Sequence, residues 1–452
     1  MTLSFVFRSF GGAMLAAIAC GCGANGNHAA LPAAGSLDWR TRPPATELKD
    51  IYNFAGSPDG KQPQATMGFQ QKNNWPVTTT TSGGDANLGA VVEFRRKQPQ
   101  PWSESVLYSF KGGTSFEDGA QPAGVFMKET DAASPIFVSA VSGGINNNGA
   151  LVELTPTSSS GTSFSEGFIY RFAGSPDGAN PWGAVVSDSA GNLYGTTQNG
   201  GANYGGTIYR MQPKGSTYAE SVVHSFGASG TDGSHPLSSL AIDKRRDLYG
   251  TTESGGYAGA GTVFELTPSG SKYIETILYA FQGMPDGNRP ESGITLSASN
   301  AKAGSAIYGT TVYGGTSNDG TVYKLTPAGK SYKETIIWNF GGTAGDGQLP
   351  SGSVCVTKAG VIYGTTIGGG SGGSSGVGTF FTLTPAGSTY KETLYDLDGT
   401  NGAYPFAGPS IYTHGGKSEA LISSEQGGTK GDGTVTEINV TGRPGTCPSP
   451  SE

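Results

Sequence analysis

The chain is short of charge, of histidine and of cysteine. Only 14% of its 452 residues are charged, against roughly 25% in an ordinary globular domain. The net charge of -7 leaves no basic stripe to neutralise phosphates, which argues against nucleic acid as a partner. The four histidines, His28, His224, His235 and His414, are scattered, and no HExxH, GxSxG or clustered metal-ligand spacing occurs. Neither a metal nor another cofactor is expected. The four cysteines, Cys20, Cys22, Cys355 and Cys447, are too few and too dispersed for a disulfide framework or a zinc site. Cys355, inside the apolar run SVCV, reads as a buried inert thiol. Convincing helical periodicity is absent. The one apolar run near the N-terminus, GGAMLAAIA (11–19), is far below the ~20 residues that span a bilayer.

That run follows Arg8 and fits a secretory signal over residues 1–19. Its ending, Ala17-Ile18-Ala19-Cys20, resembles the bacterial lipoprotein signal, which implies lipidation of Cys20; an ordinary cleaved signal is the alternative. Residues 20–46 are a Gly/Ala/Pro-rich tether. Residues 441–452 read as a disordered tail, in which Cys447 could pair with Cys22 or remain free.

What the chain has in abundance is repetition. Strand-like runs such as ETILYAF close on Phe54, Phe110, Phe172, Phe226, Phe281, Phe340 and Leu397. A period in this range marks one supersecondary unit that buries its apolar face against its neighbour. Each unit offers four short strand signals bounded by Gly, Pro, Asn or Asp, which describes one blade of a β-propeller. Residues 47–440 are therefore expected to fold as a single all-β domain, a seven-bladed propeller of four-stranded antiparallel blades. The first ETILYAF-like strand (48–54) precedes any blade and the last unit lacks one, so the N-terminal strand should complete the final blade and leave no free sheet edge. A monomer is expected.

Three motifs recur. The DGxxP turn begins at Asp59, Asp118, Asp177, Asp232, Asp286, Asp346 and Asn401; Asp or Asn bonds its own backbone, and the Gly is expected to supply positive φ. One carboxylate per turn is too few for a calcium loop. The YGTT run, clean at Tyr194, Tyr249, Tyr308 and Tyr363, degrades to VTTT, FVSA and LISS elsewhere, and its glycine is expected to admit the neighbouring blade. A Gly pair then opens the hairpin to GTVF or GTVY. No Lys-Ser/Thr or helix follows these glycines, which excludes a phosphate loop.

Taken together, YGTT, GG, GTVF/GTVY and LTPxG, as in YGTTESGGYAGAGTVFELTPSG (249–270) and YGTTVYGGTSNDGTVYKLTPAG (308–329), resemble the Gloeo/Verruco ("GloVer") tandem repeat of bacterial secreted and surface proteins. The resemblance covers roughly residues 47–440 and is strongest in units three to six. It implies an exported protein at the cell envelope and no shared catalytic activity or catalytic residues.

Function should lie where the units differ. The residues just before each DGxxP proline are Gln62, Gln121, Asn180, His235, Arg289, Leu349 and Tyr404. With Trp182 and Phe406 just after it, they are expected to form a polar and aromatic ring at the channel mouth, suited to a glycan or an envelope protein. His224 stands where other units have Tyr. The expected role is non-enzymatic binding or scaffolding, with contact to a membrane only through the lipid on Cys20. The alternative is a propeller-type glycoside hydrolase or polysaccharide lyase, which needs two carboxylates facing one cleft; Glu117, Asp243, Asp247 and Glu291 are the unshared candidates.

Overall fold

The computed structural model describes residue 43 and residues 47–70, 75–96, 102–112, 119–128, 134–157, 163–270, 272–297, 305–329, 331–371, 376–414 and 417–440. The signal, Cys20, Cys22, most of the tether, Glu117, Asp118 and the tail with Cys447 lie outside them. All described residues from Glu47 on belong to one compact unit. Apart from a short 3-10 turn at Ile145–Asn147, the elements are strands. Among the described residues no helix is long and apolar enough to cross a membrane.

The strands form seven antiparallel blades. Blade 1 runs through Gly60–Pro63, Trp75–Gly83, Ala90–Arg96 and Trp102–Ser109, with Gly68–Gln70 also pairing the second strand. Blade 2 runs through Ala120–Met127, Ile136–Ser142, Ala150–Pro156 and Phe164–Arg171. In blades 3 to 6 the innermost strand is split. In blade 3, for instance, Gly178–Ala179 pairs with Asn199–Gly200, while Val186–Ser187 joins the sheet of Leu193–Thr197, Thr207–Lys214 and Thr217–Ser225. Blade 7 combines Ser410–His414, Lys417–Ser424 and Thr434–Val440 with Lys49–Asn53 as its outer strand. There Tyr52 stands opposite Val435 and Asn53 opposite Thr434. The ring is closed by its own leading strand, as the repeat arithmetic requires.

Seven apolar clusters fill the seven seams between blades. The residue that closes each outer strand, an aromatic in six of the seven and Leu397 in the other, is driven into the following blade. Phe172 meets Tyr209 at 5.0 Å between ring centroids, Phe226 meets Phe264 at 5.0 Å and Phe340 meets Phe381 at 5.1 Å. Complete burial of such a ring stabilises by roughly 1.5–3 kcal/mol, so the seven closing positions are a principal source of ring stability.

Polar fastenings repeat alongside them. The hydroxyl at the third position of YGTT, or its eroded counterpart, donates to a carbonyl of the next blade's inner segment. Ser139 reaches Gly183 (2.8 Å), Thr196 reaches Ser238 (2.8 Å), Thr251 reaches Ser292 (2.8 Å), Thr310 reaches Gly352 (3.1 Å) and Thr365 reaches Ala407 (2.8 Å). Ser423 reaches Ala65 at 3.1 Å and so joins blade 7 to blade 1. The equivalent hydroxyl of blade 1, on Thr79, is buried without a partner. In addition, each DGxxP proline lies over the glycine that opens the previous blade's GTVF strand. A Cβ on Gly206 would meet the Pro236 ring at 2.7 Å, and one on Gly433 the Pro63 ring at 2.5 Å.

Three local expectations change. The glycine of the DG turn has positive φ only at Gly119 and Gly402. Elsewhere it is required by close approach: a Cβ on Gly178 would stand 2.5 Å from the Thr197 methyl, and one on Gly233 2.6 Å from that of Thr252. The YGTT glycine does not admit a neighbouring blade. It makes room for the aromatic opposite it in its own sheet, Tyr209 over Gly195 and Tyr323 over Gly309. Cys355 is buried, as expected, but is disulfide-bonded rather than free.

Candidate functional site

The DGxxP turns and the hairpins after YGTT share one face. The carbonyl of the turn Asp accepts from the second Gly of the pair, as in Gly201 to Asp177 (2.6 Å) and Gly256 to Asp232 (2.8 Å). Inner segments of successive blades touch backbone to backbone near the axis: Gly124 abuts Gly183 and Ala184, Gly183 abuts Ser238, and Gly352 abuts Ala407. The residues before the seven prolines therefore ring the axis on the loop face.

All seven adopt positive φ, between 56° and 60°: Gln62, Gln121, Asn180, His235, Arg289, Leu349 and Tyr404. Each donates its backbone N–H to a loop carbonyl of the preceding blade, for example His235 to Gly205 at 2.7 Å, Arg289 to Ala260 at 2.9 Å and Tyr404 to Val377 at 2.8 Å. This stitch holds the backbone in that conformation. Left-handed φ costs a residue with a Cβ roughly 1–2 kcal/mol and is routine only for Gly, Asn and Asp. Six of the seven residues are none of these, so the chain carries bulky polar and aromatic side chains here against a conformational cost.

Five of these side chains bond residues just after YGTT or its eroded copies. Gln62 donates to Glu425 (3.2 Å) and accepts from Ser82 (2.8 Å). Gln121 accepts from Ser142 at 3.1 Å. Asn180 bonds the Val141 carbonyl and Asn199, both at 3.0 Å. His235 Nδ1 pairs with Ser254 at 3.0 Å. Arg289 bonds Glu253, pairs with Glu291 at 2.8 Å and lies over the Tyr313 ring at 5.6 Å. The half-buried Trp182 donates to Gln198 at 3.0 Å. Sequence reasoning missed this second ring, although its signal was available. These positions follow YGTT or its eroded copies directly, and they vary as strongly as the residues before proline.

Of the carboxylates, Glu425 is 2% exposed, and burial pushes it up to about 7 against a lowering hydrogen bond from Gln64. Glu291 is held by Arg289. Asp243 and Asp247 lie at the far end of blade 4's inner strand, where both accept from Arg245. They do not converge with Glu291.

Residues 98–306 match the family model of the Gloeobacter/Verrucomicrobia repeat. These repeats run from the outer strand of blade 1 into blade 5. No curated protein sequence matches the chain. Among solved structures, the repeat ring is similar to an ancestral GH74 enzyme (TM-score 0.54, 12% identity, 86% of this chain and 49% of that one). It therefore spans about half the length of that enzyme. It is also similar to a hypothetical selenium-binding protein from Sulfolobus tokodaii (TM-score 0.52, 8% identity, 85% of this chain and 89% of that one). At these identities the likeness concerns the fold alone.

Proposed function

We propose that the chain is an exported propeller of the bacterial envelope, held by a lipid on Cys20, that binds a glycan or an envelope protein at the ringed mouth without turning it over. The observation that carries this reading is the ring of seven left-handed positions, six of which hold a residue other than glycine, asparagine or aspartate although the backbone would be better served by one of those. Trp182 and Tyr404 supply aromatic surface. Gln62, Gln121, Asn180, His235 and Arg289 supply fixed donors and acceptors, the combination that sugar hydroxyls or a peptide backbone require.

The second reading is a glycoside hydrolase, favoured by Glu425, whose raised carboxyl is in the range of a general acid. Its near-complete burial and the separation of the other carboxylates favour binding instead. A panel of envelope glycans and peptides, assayed for both retention and cleavage, separates the two. Retention without release of reducing ends is expected, with His235→Ala, Trp182→Ala and Tyr404→Ala each weakening it at nearly unchanged melting temperature. Normal binding by all three would eliminate the mouth; reducing-end release abolished by Glu425→Gln would establish the hydrolase. Labelling with a radioactive fatty acid that is lost in Cys20→Ser tests the anchor.

A further inference from the structure

At three of the seven seams between blades one polar arrangement recurs. The Tyr two residues before the closing aromatic donates to the turn Asp: Tyr52 to Asp59 (2.9 Å), Tyr170 to Asp177 (3.1 Å) and Tyr279 to Asp286 (3.0 Å). The other oxygen of that Asp accepts from the next glycine N–H, at 2.6 Å in all three turns. A Glu on the following outer strand, Glu104, Glu220 or Glu334, lies close enough for the Asp charge to raise it.

The seam between blades 3 and 4 departs from this arrangement. His224 takes the Tyr position, and its Nε2 is buried without a hydrogen-bond partner. Asp232, only 9% exposed, keeps the Ala228 N–H on Oδ2 at 2.8 Å, but its Oδ1 has lost the glycine donor and is also unpartnered. Glu275 Oε1 is the third buried polar atom without a partner, and Glu275 Oε2 stands 3.5 Å from His224 Nε2. Ligand atoms from the three residues lie within 4.8 Å of one another. A tetrahedral ion with bonds of ~2.0–2.1 Å separates its ligand atoms by roughly 3.3–3.4 Å, so the histidine and glutamate are already at the right spacing and the aspartate needs only a small side-chain adjustment.

We propose that His224, Asp232 and Glu275 form a binding site for a divalent transition metal of the zinc type, which clamps blade 3 to blade 4. One imidazole and two carboxylates suit zinc or cobalt and neutralise the ion's charge. A lone imidazole among oxygens gives no advantage to calcium or magnesium. Three protein ligands leave a fourth position for water. The inference does not depend on the mouth.

The test uses the full chain stripped with a chelator, titrated with Zn²⁺ by calorimetry and with Co²⁺ by visible absorption. One equivalent is expected, with a cobalt spectrum of low coordination number and a rise in melting temperature on adding Zn²⁺. His224→Tyr restores the residue found at the sister seams and so keeps the fold. It should weaken Zn²⁺ binding by about 100-fold or more, since even outer partners of a ligand are worth 10–100-fold, and should abolish both the cobalt spectrum and the thermal shift. Glu275→Gln should weaken binding by about 10-fold or more. No binding by the wild-type chain, or equal binding by His224→Tyr, overturns the proposal.

Discussion

Blades 3 to 6 and blades 1, 2 and 7 reach the same shape with different side chains. In the four regular blades the last Thr of YGTT and the Thr opening the next strand share a buried hydroxyl contact of 2.8 Å, from Thr197–Thr207 to Thr366–Thr379. Blade 2 replaces both by alanine, Ala140 opposite Ala150, and loses nothing unpaired. Blade 1 sets Thr80 against Ala90, and in blade 7 Ser424 faces Thr434, whose hydroxyl turns to the Asn401 carbonyl instead; the Thr80 and Ser424 hydroxyls are both buried without partners. Removing both partners of a buried hydrogen bond is nearly neutral, whereas removing one is not. The irregular blades thus show three kinds of variation, a matched apolar swap in blade 2, an unmatched loss in blade 1 and a redirected bond in blade 7, and the two that leave a hydroxyl unpaired flank the closing seam.

The comparison can be broken or sharpened by experiment. The largest effect is expected from deleting residues 1–54, which strips the outer strand from blade 7 and takes Leu48, Ile51 and Phe54 from the clusters on both of its sides. Loss of cooperative unfolding should be seen by calorimetry; a truncated chain that melts like the parent would show the closing strand to be dispensable. Next, Phe54→Ala at the closing seam and Phe226→Ala at a regular seam should each cost about 3–5 kcal/mol in denaturant unfolding. A much smaller loss for Phe54 would mark the closing seam as loosely packed.

Smaller effects separate the hydroxyls. Thr251→Val removes a donor from the buried Ser292 carbonyl and should cost about 1–3 kcal/mol, whereas Thr79→Val, whose hydroxyl has no partner, should be neutral or stabilising. Equal losses would mean that the bond between blades contributes nothing. Glu104, Glu220 and Glu334 are pushed up to about 7 by burial and by the turn Asp. Below their ordinary value of 4.5 folded and unfolded chains are equally protonated. Between that and about 7 the unfolded chain releases protons that the folded one keeps, so stability falls as pH rises across this window and levels off above it. The melting temperature should drop from pH 5 to pH 7.5, less steeply in Glu334→Gln; an unchanged slope would remove Glu334 as a cause. The smallest effect is a gain: Leu349→Asn relieves the left-handed backbone and should stabilise by about 1 kcal/mol.

Most of the architecture was legible because it was written seven times. The spacing of the closing aromatics and the count of DGxxP turns gave seven blades, and the surplus strand at one end matched the missing one at the other. What the sequence did not display is the left-handed backbone at the residues before the prolines. A backbone hydrogen bond to the previous blade accompanies it, and residues such as Gln62, Leu349 and Tyr404 give no hint of positive φ. The DG glycine was read as a turn residue because both explanations, positive φ and close approach, select the same residue. The cluster of His224, Asp232 and Glu275 left only one trace, a His where Tyr recurs.

Local pattern alone determined the repeat, the strands, their number and the closure, because alternation and turn chemistry act between residues near in the chain. Which polar groups meet across a seam was decided only by folding. Strands of neighbouring blades come together through packing of their apolar faces, and that packing sets the distance between His224 and Glu275 and leaves the Thr79 hydroxyl without an acceptor.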